Sequence, residues 1–107
     1  MRCITVLYPN SEGVRFDFNY YKAKHATLIM RLYGKGIARY ELRKGVSGPD
    51  GGKPAYVATV HFWIGDQKVF DSAQSSHAQE LIDDVKNFTN VMPTIQIDEV
   101  ADSAGAK

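Results

Sequence analysis

Apolar residues recur along this chain with two different periods. From Asp17 to Leu32, the residues Phe18, Tyr21, His25, Leu28 and Leu32 follow one another at three- and four-residue steps, which predicts a helix carrying all five on one face. Asp17 fits as its N-cap, Phe16 and Tyr21 are placed to form a hydrophobic staple, and Gly34 with Gly36 stands where the helix would stop. Elsewhere the period is two. Cys3 to Tyr8 is short, β-branched and ended by Pro9, which suits a buried strand. From Ala38 to Leu42, apolar Ala38, Tyr40 and Leu42 alternate with charged Arg39, Glu41 and Arg43, the pattern of a strand wet on one face and suited to a sheet edge. Tyr56 to Ile64 is different. Tyr56, Ala58, Val60, Phe62 and Ile64 make one face and Val57, Thr59, His61 and Trp63 the other, and neither reads as wet.

Between these last two strands, residues 45–54 hold Gly45, Gly48, Gly51, Gly52, Pro49 and Pro54. They read as a hairpin loop and not as a phosphate cradle, because no Lys-Ser or Lys-Thr follows and no helix begins there. After Gly65, Asp66 can cap a short helix to about Gln74. Ser76 with Gln79 resembles a capping box opening a second segment, either separate from or continuous with the helix before it, with Ala78, Leu81, Ile82 and Val85 as its stripe. The alternation of Ile95 and Ile97 with Gln96 and Asp98 predicts a last strand over Met92 to Val100. The expected organisation is one domain over 1–100 followed by a frayed tail over 101–107.

The order strand, helix, strand, strand, helix, strand predicts an α+β fold of the ferredoxin-like split βαβ type, βαββαβ, with a four-stranded antiparallel sheet. Both helices of that fold lie on one side of the sheet. A chain of 107 residues cannot cover the other side as well, so the dry second face around Trp63 predicts a homodimer.

Charge narrows the partners. Thirteen basic residues against twelve acidic ones leave no field to draw the chain onto nucleic acid or an anionic membrane. No apolar run approaches the roughly 20 residues that span a bilayer. The lone cysteine, Cys3, cannot form an internal disulfide and the N-terminus lacks a signal-peptide core, so a cytoplasmic protein is expected, with Cys3 as a buried structural thiol.

His25 is the chemical focus. A helix could bury the same stripe with leucine there, whereas a buried imidazole must find a hydrogen-bond partner or lose roughly 1–3 kcal/mol. With an ordinary pKa near 6.5, it is suited to general acid or base work at neutral pH, helped by Tyr21 one turn earlier; the alternative is a structural histidine bonded to a carbonyl or to Tyr21. Tyr21 is itself either core or ligand contact. Tyr8, Phe62, His61 and Trp63 are the candidates for ligand contact, with His61 and Trp63 equally suited to a dimer interface. His77 reads as surface or cap structure near a helix start. The three histidines sit on separate elements without a close-spaced pair, so no metal is expected, and no Gly-x-Ser-x-Gly nucleophile motif is present.

Several motifs in order carry a family resemblance. Tyr8-Pro9, Phe16-Asp17-Phe18-Asn19-Tyr20-Tyr21 and then His25 resemble the N-terminal pattern of the EthD family, named for ethyl tert-butyl ether degradation. Tyr56-Val57-Ala58, His61-Phe62-Trp63-Ile64, His77, Asp84-Val85-Lys86-Asn87-Phe88-Thr89, Pro93 and Ile95-Gln96-Ile97 are similar to its C-terminal half, so the resemblance spans about residues 3 to 100. One departure is Gly65-Asp66, where the family often has Asp-Ser before the helix; either can cap. The resemblance implies a dimeric α+β barrel in which two sheets meet face to face. It also places the chain in a superfamily of cofactor-free monooxygenases, muconolactone-type isomerases, polyketide cyclases and small stress or degradation proteins, often with a pocket between helices and sheet. Three functions follow as expectations. The chain is a cofactor-independent enzyme for oxygenation, isomerisation or cyclisation of a hydrophobic or aromatic small molecule; or a non-catalytic binder or carrier of such a molecule in a degradation pathway; or an assembly module without a pocket.

Overall fold

The computed structural model describes residues 1–105. Four strands, β1 (Arg2–Pro9), β2 (Ile37–Lys44), β3 (Tyr56–Ile64) and β4 (Thr94–Glu99), form one antiparallel sheet in the order β2-β3-β1-β4. With a helix after β1 and another after β3, this is the split βαβ topology expected from the order of elements. β2 lies at a sheet edge, where its charged alternate residues suit solvent. Residues 101–105 of the expected tail have no regular structure, and residues 106 and 107 lie outside the described residues.

The first helix starts as its sequence predicts. Asp17 accepts a hydrogen bond from the Tyr20 N–H at 2.9 Å, and the Phe16 and Tyr21 rings stack with centroids 5.9 Å apart. It then departs from a uniform period. An α-helical turn (Phe18–Tyr20) passes into a π-helical turn (Tyr21–His25), where the Ala26 N–H bonds to the Tyr21 carbonyl five residues back, before α-helix resumes over Ala26–Tyr33. The extra residue rotates the buried stripe by one position. Tyr21 and His25 are buried as expected, but beyond them the core takes Ala26, Ile29 and Tyr33, and Leu28 and Leu32 are only half-buried.

The second helix is one continuous element, Gln67–Asp84, capped by Asp66, whose carboxylate accepts from the Val69 N–H at 3.1 Å. Ser76 opens no second segment, because nothing between Gln74 and Ser76 breaks the helix. His77 therefore lies mid-helix, where its Nδ1 is 2.8 Å from Glu80 Oε1, and not at a helix start. The N-terminal half of this helix packs tightly. A Cβ on Gly36 would stand 2.7 Å from the Phe70 backbone nitrogen, so only glycine allows that approach. The C-terminal half stands away from the sheet. Its stripe of Ala78, Leu81 and Val85 is half-buried and Ile82 is exposed.

The core between helices and sheet joins Val6, Tyr8, Ala58, Val60, Phe62 and Ile64 to Tyr21, Ala26, Ile29, Tyr33 and Phe70. The helix-facing side of β4 is uncovered, with Ile95 60% and Ile97 65% exposed. On the opposite side of the sheet, Val57, Thr59, His61 and Trp63 are half-buried in the single chain. That side is more polar than β3 alone suggests. The Arg39 guanidinium covers the Trp63 ring at 4.1 Å, Thr5 bonds to Asp98, and Glu41 pairs with both Arg39 and Arg43. Cys3 is a buried free thiol on β1 beside Trp63.

Candidate functional site

The half-detached second helix and the uncovered β4 leave a cleft of about 400 Å³ between the helical layer and the sheet. That is the size range of sites for drug-sized molecules. Its floor is Ile4, Val6, Tyr8 and Phe62, its sides come from both helices, and its rim is the exposed group Ile82, Met92, Ile95 and Ile97. A depression of similar volume along Asn10–Val14 and Lys53 lies on a surface loop and holds no histidine or buried aromatic.

His25 reaches this cleft from the π-helical turn, being itself 4% exposed. Its Nδ1 is 2.8 Å from Oδ2 of Asp84, the last residue of the second helix. A carboxylate can only accept, so Nδ1 carries the proton and Nε2 presents a lone pair. Nε2 has no protein partner among the described residues. No sealed side-chain nitrogen or oxygen lacks a partner there either, so Nε2 keeps its access through the cleft. Asp84 is held in turn: its Oδ1 accepts from the Tyr20 hydroxyl at 2.8 Å and from Asn87 Nδ2 at 2.9 Å. The Phe88 ring closes the other side of the imidazole with centroids 4.7 Å apart and also touches Tyr8, Tyr21, Phe16 and Tyr20.

Burial lowers the His25 pKa below its ordinary value, against the opposing hydrogen bond and charge of Asp84, so the ring is neutral at neutral pH. Burial alone would raise the Asp84 pKa, but hydrogen bonds from Asn87, His25 and Tyr20 and the His25 charge outweigh it and hold the carboxyl low. Burial pushes the Tyr8 and Tyr21 hydroxyls well up. The result is a neutral imidazole lone pair, backed by a carboxylate, facing an apolar space.

Of the six residues singled out from the sequence, His25, Tyr21, Tyr8 and Phe62 line the cleft together. His61 and Trp63 are on the far side of the sheet, because alternation along β3 turns them away from Phe62. There His61 Nε2 is 3.2 Å from Thr59 Oγ1, and burial followed by the Arg43 charge lowers its pKa. Among the described residues no group of three or more His, Cys, Asp or Glu side chains gathers as a metal site would require. No helix among them is long and apolar enough to cross a membrane. Asp84, Tyr20, Asn87 and Phe88 were not singled out for any role by local pattern. Asp84 is 59 residues from His25, and its only available signal was its place in the Asp84 to Thr89 run that resembles the family.

No family sequence model and no curated protein matches the chain. Solved structures do. A protein of the EthD family from Bacillus halodurans C-125 superposes with TM-score 0.68 at 19% identity, over 92% of this chain and 97% of that one. HapK from Hahella chejuensis superposes with TM-score 0.60 at 16% identity, over 100% and 99%. Both show the fold alone. An EthD-like protein from Ralstonia eutropha JMP134 is 34% identical, with TM-score 0.86 over 96% of this chain and 94% of that one. At that identity over nearly the full length of both, the chain belongs to the EthD family, the ethyl tert-butyl ether degradation proteins.

Proposed function

We propose that this protein is a small enzyme of catabolic or secondary metabolism that needs no dedicated cofactor. It binds a hydrophobic or aromatic small molecule in the cleft, and His25 acts on it as a general base. The observation that carries this reading is the unpaired Nε2 of a neutral, Asp84-held imidazole at the wall of an apolar cleft. Proton removal there suits the first step of an isomerisation, a cyclisation or a cofactor-free oxygenation. Asp84 is a positioning residue, because it acts through the imidazole. An assembly module without a pocket has no use for an open cleft that reaches a titratable ring.

The test is a panel of aromatic and alicyclic carbonyl and phenolic compounds, followed by mass spectrometry, with wild type beside His25→Asn. Turnover by the wild type that falls by on the order of 10²-fold or more in the variant, at similar affinity, supports the base. Equal turnover in the two proteins overturns it, and tight binding without product in either makes the protein a carrier.

The working form is a homodimer in the cytoplasm, joined through the sheet faces that carry His61 and Trp63. The half-buried Val57, Leu7 and Trp63 on that face support the dimer, and a lone free Cys3 suits a reducing compartment. Sedimentation at micromolar concentration should give a dimer that Trp63→Arg dissociates; a compact wild-type monomer contradicts it.

A further inference from the structure

The cleft is lined by residues with polar atoms besides the imidazole nitrogen. Tyr8 and Tyr21 line the cleft at 3% and 1% exposure, yet neither hydroxyl has a hydrogen-bond partner among the described residues, and since no sealed side-chain oxygen there is left unpaired, both keep access to open space. Both rings pack on Phe88, as His25 does, at 5.9, 5.2 and 4.7 Å, and the Tyr21 and His25 rings are 5.1 Å apart, so the three rings surround one phenyl group. By contrast Tyr33, further along the same cleft, gives its hydroxyl proton to Gln74. A buried hydroxyl is normally paired, and one left open at a cavity wall marks where a ligand atom belongs.

We infer that Tyr8 and Tyr21 are an oxyanion-binding pair facing His25, and that the substrate is an apolar molecule presenting an enolisable carbonyl or a phenol. This rests on the general-base reading of His25. The pair has the required chemistry: burial keeps both hydroxyls protonated, and Tyr8 and Tyr40 push Tyr21 further in that direction, so they are donors at any working pH.

With a carbonyl substrate, His25 Nε2 takes a proton from the carbon next to the carbonyl. The C–H bonding pair becomes the C=C bond of the enolate and the carbonyl π pair moves to oxygen. That oxygen accepts from the Tyr8 and Tyr21 hydroxyls. Return of the proton from the imidazolium to the same or a conjugated carbon completes a proton exchange or an isomerisation in which nothing is oxidised. With a phenol, the O–H proton moves to Nε2 and the phenolate takes the same place. The rest of the molecule lies on the apolar walls toward Ile82, Ile95 and Ile97, which are exposed and therefore tolerant of an extended apolar group.

Two probes separate this inference from the reading beneath it. Absorption of 4-nitrophenol reports whether it is bound as phenolate, and naphthalene fluorescence reports occupancy of the cleft by a molecule without oxygen. The wild type should bind 4-nitrophenol as phenolate below its solution pKa. Tyr8→Phe and Tyr21→Phe should each weaken that binding about tenfold, or ~1.4 kcal/mol, and leave naphthalene within about twofold. His25→Asn should bind 4-nitrophenol in its neutral form. If the two tyrosine variants bind 4-nitrophenol like the wild type, or lose naphthalene equally, the oxyanion pair is overturned and the His25 reading stands on its own variant. If His25→Asn still binds phenolate below its solution pKa, or the wild type binds neither probe, the reading of His25 fails and this inference with it.

Discussion

His25 and Asp84 meet at 2.8 Å across the seam between the two helices, a π-helical turn supplying one and the last residue of the second helix the other. Each needs the other for a different reason. Burial favours the neutral imidazole, which is too polar to stand alone. The carboxylate is kept ionised by donors that include the imidazole N–H. This pair converts a packing residue into a poised acceptor.

If His25 is the proposed base, Asp84→Asn should act on the reaction through the histidine. The amide can present its N–H₂ to Nδ1 and stabilise the wrong tautomer, so turnover should drop on the order of 10²-fold with little change in KM. Because Asp84 raises the His25 pKa against burial, its loss should also move the acid limb of the kcat/KM profile to lower pH. A drop in turnover with an unmoved limb would assign Asp84 a merely structural role.

Stability should fall on mild acidification. Unfolded chain protonates His25 near 6.5, and the folded chain only at lower pH, so between the two values the unfolded state binds more protons and is favoured as pH drops. Asp84 adds the same sign lower down: its contribution is present above its ordinary value of 3.8 and is lost as pH falls through the lower folded value. His61, held low by burial and by Arg43, also contributes with this sign. Urea midpoints measured from neutral to acidic pH should show the limb near 6.5 shrink in His25→Asn without vanishing.

Tyr8→Phe and Tyr21→Phe should leave stability within about 0.5 kcal/mol of the wild type, since each removes a hydroxyl with no partner among the described residues. Tyr33→Phe breaks the bond to Gln74 and should lose about 0.5–1.5 kcal/mol. Thermal unfolding distinguishes them, and a loss above 1 kcal/mol in the first two would mean that their hydroxyls hold the fold.

Phe88→Ala should cost about 3–5 kcal/mol, because the ring is 3% exposed and packs against Tyr8, Phe16, Tyr21 and His25 together. Phe88→Leu refills most of the space and should fold well, yet it removes the aromatic ring that packs at a tilt against the imidazole. In that variant, a normal melting temperature with a shifted His25 titration by NMR would show that Phe88 sets the histidine's surroundings.

The local pattern was legible where one element decides it. Asp17 and Asp66 cap their helices by bonding to amides three residues on, and alternation along β3 separates Phe62 from Trp63 with no help from the rest of the chain. Those relations depend on neighbours in sequence, so residue order alone determined where strands and helices alternate, and from that order the split βαβ topology was expected. Order could not reveal the π-helical turn, which rotates Ala26, Ile29 and Tyr33 inward in place of Leu28 and Leu32, because the hydrophobic pattern fits either register. Nor could it reveal that the second helix runs unbroken past Ser76 and stands off β4 to leave the cleft. The partner of His25 was decided by tertiary structure alone. A hydrogen bond between residues 59 positions apart leaves no period in the sequence, and it exists only once the sheet has set the two helices side by side.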